Sequence, residues 1–296
     1  MYEKARMFVD VSTTLTPFDE VGRFLRSSTP GLCLVSAQSG AGKSSFLSNV
    51  LLEYASEDSR TLARFCGTTV RTSTAKDVLL SLLEELDGEG ATVSASTQTL
   101  KEVRDTLFST LSSSDGHTII VMDAIDQLKD GENPYWLVPS LHTQYPPRVH
   151  IVASFIPDVT DTTHVERYCE MAKTEWGEST AFQLATTTLP TIDAEKDKQA
   201  IVRHHLLNKE FPRAVEVGQT PLHSTPLHLA LAAHHAVFGV HVSAEEGGAL
   251  PMGEGVRGLV QLLFRKLEVY HGQALVSHAF EYLNIAEEGL TAMEWE

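Results

Sequence analysis

Positive charge is in short supply. Lys and Arg number 23 against 39 Asp and Glu, a formal charge of −16 over 296 residues. Bulk binding to DNA or to an anionic membrane draws its affinity from a basic excess, so the chain is a poor candidate for either. Neither nucleic acid nor membrane is an expected partner. Cysteine is scarce too: Cys33, Cys66 and Cys169 are odd in number, lie far apart and form no Cys-x-x-Cys pair. A disulfide framework or a structural zinc site is therefore not expected, and a reducing compartment is the default. Aromatic residues make up 7% and are not interleaved with basic ones, which argues against a stacking platform for single strands. No apolar run approaches the ~20 residues of a membrane helix. The opening Met1-Tyr-Glu-Lys-Ala-Arg-Met lacks the apolar core of a signal peptide. The expected location is cytoplasmic. Gly-x-Ser-x-Gly is absent, and no Ser-His-Asp or Cys-His arrangement stands out.

What is present reads as globular. Hydrophobic residues are 42% and charged residues 21%, which rules out wholesale disorder. The length suits one large domain or two to three small ones, with a core of useful size. Residues 31–37 form a short apolar run, followed by a Gly-rich turn. From Lys43 to Tyr54 the apolar positions Phe46, Leu47, Val50 and Leu51 repeat at helical spacing. Residues 61–66 read as a second strand. Thr74 to Leu86 and Leu100 to Leu111 read as helices, with a flexible polar connector at 88–97 between them. The runs 118–122 and 148–155 are nearly all apolar, as strands covered on both faces are. Val165 to Thr174 reads as a helix and 180–185 as a fifth strand. Strands alternating with helices predict an α/β fold, a parallel sheet flanked by helices. After about residue 190 the strand signals fade. Ala194–Asn208, Thr225–Val237, Val256–Tyr270 and Gln273–Ile285 read as helices, and the Gly-rich stretch 243–255 as a linker or lid loop.

The segment Ala37-Gln-Ser-Gly-Ala-Gly-Lys-Ser44 carries the chemistry. Small residues let a backbone wrap around phosphate oxygens while successive N–H groups and a helix N-terminus face the anion. A lysine reaches the terminal phosphates and a Ser or Thr hydroxyl ligates Mg²⁺. Gly40, Gly42, Lys43 and Ser44 fill those roles. The candidate nucleotide cradle is Ala37, Gln38, Ser39, Gly40, Ala41, Gly42, Lys43, Ser44 and the following Ser45. The usual pattern opens with Gly. Ala37 in that place removes the freedom to adopt a positive φ.

A phosphate loop needs a carboxylate at the end of a neighbouring strand, to hold Mg²⁺ and its waters. Ile119-Ile-Val-Met-Asp123 supplies it, some eighty residues on, so Ser44 and Asp123 are the candidate metal ligands. Asp126 follows, able to orient or deprotonate an attacking water or to cap a helix. Gln127 stands where a Glu is the frequent base. It can orient water by hydrogen bonding but cannot take its proton, so slow hydrolysis is the expectation, with Asp126 and Gln127 as the catalytic candidates.

The loop 37–44, the segment Asp123-Ala-Ile-Asp-Gln-Leu128 and the helical tail together resemble a NACHT domain of the STAND class of P-loop signalling NTPases. Members carrying downstream WD, TPR or ankyrin repeats, the telomerase-associated and nephrocystin-like group, are the most similar in these motifs. That family has a small residue after the metal Asp and a second acidic residue three positions beyond it, matched by Ala124 and Asp126. The segment Arg64-Phe-Cys-Gly-Thr-Thr followed by Ser73-Thr-Ala-Lys-Asp-Val-Leu is similar to its second strand and following helix. The resemblance implies a Walker-type strand order in which the Asp123 strand is not adjacent to the loop strand. It implies an NTPase core over 15–189, a helical subdomain over 190–250 and the start of a winged-helix region over 256–296. It further implies Mg²⁺ with ATP or ADP as cofactors, and homo-oligomerisation of the ATP form. Family members often carry a polar or Arg sensor after the fourth strand. Here that strand ends Ala153-Ser154-Phe155, leaving Ser154 to contact a γ-phosphate or its water, and no Arg follows.

Thr225-Pro-Leu-His-Leu-Ala230 matches the ankyrin signature, but nothing repeats it at ~33-residue spacing. The NACHT resemblance instead implies that it opens a helix, with Thr225 as N-cap and Pro226 near the adenine. The histidine pairs His204-His205, His234-His235 and His223 with His228 have no companion ligands at coordinating spacing, and read as core or solvated residues. The chain stops at Glu296 directly after helical patterning, which suggests a piece of a longer protein whose downstream repeats would bind protein partners. The function expected is a nucleotide-dependent conformational switch or oligomerisation module with slow Mg-dependent hydrolysis. The alternative is a hydrolytically idle NACHT-like scaffold. A kinase-type P-loop enzyme is the third option, opposed by the helical C-terminal half and the lack of an Arg-rich lid.

Overall fold

The computed structural model describes residues 9, 11–12, 14–55, 59–87, 98–114, 116–129, 134–137, 145–157, 182–207, 225–239 and 255–285. The elements of its first part, in chain order, are α1 (Leu15–Leu25), β1 (Gly31–Ser36), α2 (Lys43–Tyr54), β2 (Ser59–Phe65), α3 (Ala75–Asp87), α4 (Leu100–Ser112), β3 (His117–Asp123), β4 (Val149–Phe155) and β5 (Gln183–Thr188). All the strand pairings are parallel and the order is β2-β3-β4-β1-β5. The strand carrying Asp123 is thus separated from the loop strand by β4, as the resemblance implied.

The sequence pattern explains the layering. In β3 every residue but the first is buried, and in β4 every residue is, which is what apolar runs covered on both faces produce. Successive side chains alternate faces. Leu32, Leu34, Ile120, Met122, Ile151 and Ala153 pack in one cluster with the apolar stripes of α3 and α4. Cys33, Val35, Ile119, Val121 and Val152 pack in the other with α1 and α2. The edge strands β2 and β5 are only partly covered. Helix α4 starts on a capping box, in which Thr99 accepts the Glu102 N–H and Glu102 accepts the Thr99 N–H. The Thr99 N–H and the Thr99 hydroxyl both donate to Glu102 Oε2, at 2.7 Å and 2.8 Å, and hold that carboxyl below its ordinary range.

Several sequence boundaries move. The fifth strand lies at Gln183–Thr188 rather than 180–185, because Gly31–Ser36 of β1 pairs residue by residue with that stretch. Helix α1 was not expected at all. Pro17 and Gly22 interrupt its pattern, yet Pro17 sits in the first turn, where no intrahelical N–H is needed. Gly22 sits against Tyr54, whose hydroxyl oxygen lies 2.0 Å from where a Cβ would be. The expected helix at 165–174, the connector at 88–97, residues 243–254 of the linker, Cys169, His223 and residues 286–296 of the tail lie outside the described residues.

The chain divides into two compact units, with the change near Pro190. The second holds Val11 and Ser12 together with α5 (Glu195–Leu207), α6 (Pro226–Gly239), α7 (Gly255–His271) and α8 (Gln273–Ile285). Its helices pack in sequence, α5 on α6, α6 on α7 and α7 on α8. Ser12 Oγ donates to Asp197 Oδ2 at 2.9 Å, and Phe264 meets Phe280 edge-on at 4.4 Å between ring centres. Among the described residues no helix is long and apolar enough to cross a membrane.

Candidate nucleotide site

In a parallel sheet all strand carboxyl ends share one edge, and ligands bind in the crevice outside it. Here β1 delivers the phosphate loop to that edge, β3 delivers Asp123, and β4 delivers Ser154 and Ile156. The loop opens with Ala37, whose N–H donates to Phe155 O at 3.4 Å. Ala37 is not among the described residues with positive φ, so the fold asks no left-handed backbone of it and alanine serves. The left-handed positions are Gly40 (φ 76°) and Gly42 (φ 89°), and Gly42 directly precedes α2. Any Cβ there would strain the turn that aims the loop's N–H groups. Gln38 and Ser39 lead into Gly40 and Ala41 links the two glycines, in a bend closed by Ala41 N–H donating to Gln38 O at 3.2 Å.

Lys43 is buried at the foot of α2. Its Nζ donates to Ala37 O at 2.6 Å and Gln38 O at 3.1 Å, so the side chain folds back over the loop it follows. Burial pulls the ammonium below its ordinary range, while the Asp126 and Asp123 carboxylates oppose that and favour the charge. The next residue, Ser44, donates its hydroxyl to Asp123 Oδ2. Ser45, one residue further, lies within the first turn of α2.

Asp123 is buried at the end of β3, and its other oxygen, Oδ1, accepts from Ser154 Oγ at 2.6 Å. The Ser154 hydroxyl in turn accepts the Ala124 N–H at 2.9 Å. Ala124 is left-handed (φ 60°, ψ 53°) and turns the chain into the short helix Ile125–Gln127. Asp126 is therefore inside that turn rather than capping a longer helix. Its Oδ1 accepts the Ile156 N–H at 3.1 Å and its Oδ2 accepts from Gln127 Nε2 at 2.7 Å. Both catalytic candidates thus lie together on the rim, with Gln127 exposed. Pro226 opens α6 of the second unit, where Thr225 Oγ1 accepts the His228 N–H at 3.3 Å.

The donor set fits a magnesium nucleotide. Ser44 and Asp123 are hard oxygen ligands converging on one point, and Mg²⁺ prefers such oxygens with retained waters. Lys43 lies beside them, with backbone N–H groups available at a helix N-terminus. The sequence offered these three as candidates, and the structure brings them together, but the grip of Ser154 on Asp123 and the left-handed turn at Ala124 were missed. The only signal for the first was a hydroxyl at the end of an otherwise apolar strand. Cys33 and Cys66 are free and buried, with thiols pushed up to about 12 by burial, aided by Glu20 for Cys33 and by Asp123 and Asp126 for Cys66. Neither is a nucleophile at neutral pH.

Residues 25–149 match the family model of the AAA domain. Among solved structures, the chain is similar to the ORC2 protein of Aeropyrum pernix in its ADPNP–ADP complexes (11% identity, TM-score 0.51, covering 89% of this chain and 74% of that one). It is also similar to the Aeropyrum pernix ORC1 protein in complex with DNA (15% identity, TM-score 0.50, 99% and 67%). No curated protein matches the sequence. With the five-stranded parallel sheet, these findings establish a P-loop NTPase fold of the AAA+ type.

Proposed function

We propose that the chain is an ATP-binding signalling NTPase of NACHT-like type, a nucleotide-dependent switch or oligomerisation module with slow Mg-dependent hydrolysis. The observation that carries the reading is the convergence of Lys43, Ser44 and Asp123 at the sheet's carboxyl edge. Magnesium, when bound with the nucleotide, would supply charge neutralisation of the β- and γ-phosphates. The chain's own residues do the rest. Gly40, Gly42 and the start of α2 present N–H groups to the phosphates, Lys43 adds a full positive charge, and Ser44 and Asp123 hold the metal. Asp126 accepts one bond on each oxygen and keeps lone pairs for a water. Gln127 can orient that water but takes no proton, which is why turnover is slow. The segment Asp123-Ala-Ile-Asp-Gln-Leu128 supports the NACHT-like reading.

Light scattering of the purified chain with ADP and with a non-hydrolysable ATP analogue tests the switch. A larger assembly with the triphosphate alone supports it, and equal mass in both defeats it. One observation favours a second reading, the idle scaffold: Asp126 is bonded on one oxygen to the Gln127 side chain and on the other to the Ile156 N–H. Phosphate release at background level with intact ATP binding selects that reading. A role on DNA, the partner in the ORC1 complex, is opposed by the net charge of −16.

A further inference from the structure

Strand β4 is apolar along its length except at His150 and Ser154, and both are buried. A buried hydroxyl needs a partner for its proton. Ser154 Oγ donates to Asp123 Oδ1 at 2.6 Å and accepts the Ala124 N–H at 2.9 Å. A serine hydroxyl has one proton, and here it is committed to a carboxylate. A phosphate oxygen only accepts hydrogen bonds, so in this arrangement Ser154 has no donor left for a γ-phosphate. Its effect falls on Asp123 instead. With Oδ1 tied to β4, the carboxylate plane is fixed and Oδ2 is presented to Ser44. The same hydroxyl steadies the left-handed Ala124, and two residues further the Ile156 N–H holds Asp126 Oδ1 at 3.1 Å. The end of β4 therefore grips both acidic residues of the site, one through a side chain and one through the backbone.

We infer that Ser154 is a positioning residue for the metal, not a reader of the terminal phosphate. It locks Asp123 so that Oδ2 and Ser44 together hold the Mg²⁺ of a bound nucleotide, and it supports ADP and ATP to the same degree. The inference rests on the magnesium-nucleotide reading above. Groups that orient a metal ligand in this way are worth 10–100-fold in metal affinity.

The test is a titration of the whole chain with fluorescent ADP and a fluorescent non-hydrolysable ATP analogue, each in Mg²⁺ and in EDTA. In the wild type, Mg²⁺ tightens both nucleotides. Ser154→Ala should cut that tightening by about tenfold or more, by the same factor for both nucleotides, and leave the EDTA affinities unchanged. Ser154→Thr, which keeps the hydroxyl, should recover most of it. Should the alanine variant not fold, Ser154→Cys keeps the volume with a weaker donor and should show a partial loss of the Mg²⁺ effect. A loss confined to the triphosphate, or an undiminished Mg²⁺ effect in the variants, overturns the inference while leaving the nucleotide site standing. A wild type that binds no nucleotide in either buffer overturns the site itself and the role of Ser154 with it.

Discussion

Ala124 bears more of the site than its size suggests. It follows the metal carboxylate, its N–H is bonded to Ser154, and its backbone sits at φ 60° and ψ 53°. A non-glycine residue there is strained, and a β-branched one more so. Ala124→Gly should stay within about 1 kcal/mol of wild type, because relief of strain offsets the looser unfolded chain. Ala124→Val should lose about 1–3 kcal/mol. Urea midpoints of the two variants check this, and equal midpoints would remove the left-handed turn from the account. Lys43 and Ser44 were readable as candidates because a phosphate loop sets those residue types at short, fixed spacing, and Asp123 because it ends an apolar strand. Ser154 was legible only as a polar residue near the site. Its partner Asp123 is 31 positions away in the chain, and only the pairing of β3 with β4 brings them together. The doubt raised by Ala37 also needed the backbone to dispel it. No pattern of residue types shows which loop positions are left-handed.

At the opposite ends of the same two strands lies a different device. His117 on β3 and His150 on β4 meet at 2.8 Å between Nε2 and Nδ1, and His150 Nε2 faces Thr29 O at 3.1 Å. The carbonyl can only accept, so His150 carries its proton on Nε2, and His117 donates to the bare Nδ1. Burial, and secondly His117, push His150 down from 6.5 to about 4. Since the unfolded chain binds this proton more readily, the pair contributes stability above about pH 6.5 that is lost as the pH falls toward 4. The upper bound is about 3 kcal/mol. Urea midpoints should therefore fall between pH 7 and pH 5 in wild type, and fall less in His150→Phe. Parallel slopes would contradict the assignment. The strands β3 and β4 were readable because burial on both faces leaves little room for polar residues, and α2 because Phe46, Leu47, Val50 and Leu51 repeat at helical spacing. Helix α1 was hidden because its Pro17 and Gly22 are tolerated for tertiary and positional reasons that periodicity does not carry. The edge strand β5 was displaced in the reading because its threonine-rich register is set by pairing with β1.

Across the whole molecule, the acidic excess and the phosphate cradle pull in different directions. A charge of −16 repels polyanions in general, so a local nest of N–H groups with one lysine must overcome that field for a nucleotide. Two consequences follow. Duplex DNA should not bind at ~0.15 M salt, because a net charge of −16 offers no basic excess to supply the affinity; a filter or anisotropy assay showing micromolar DNA binding would overturn this reading of the charge. Nucleotide binding, by contrast, should depend sharply on Lys43, whose ammonium is buried against the loop carbonyls with Asp123 and Asp126 nearby. The most direct test of the account is a calorimetric titration of Mg-ATP into the wild type and Lys43→Ala. Loss of one charge-assisted contact to phosphate predicts an affinity at least about tenfold weaker in the variant, with the fold retained. Equal affinity in the two proteins would contradict the site.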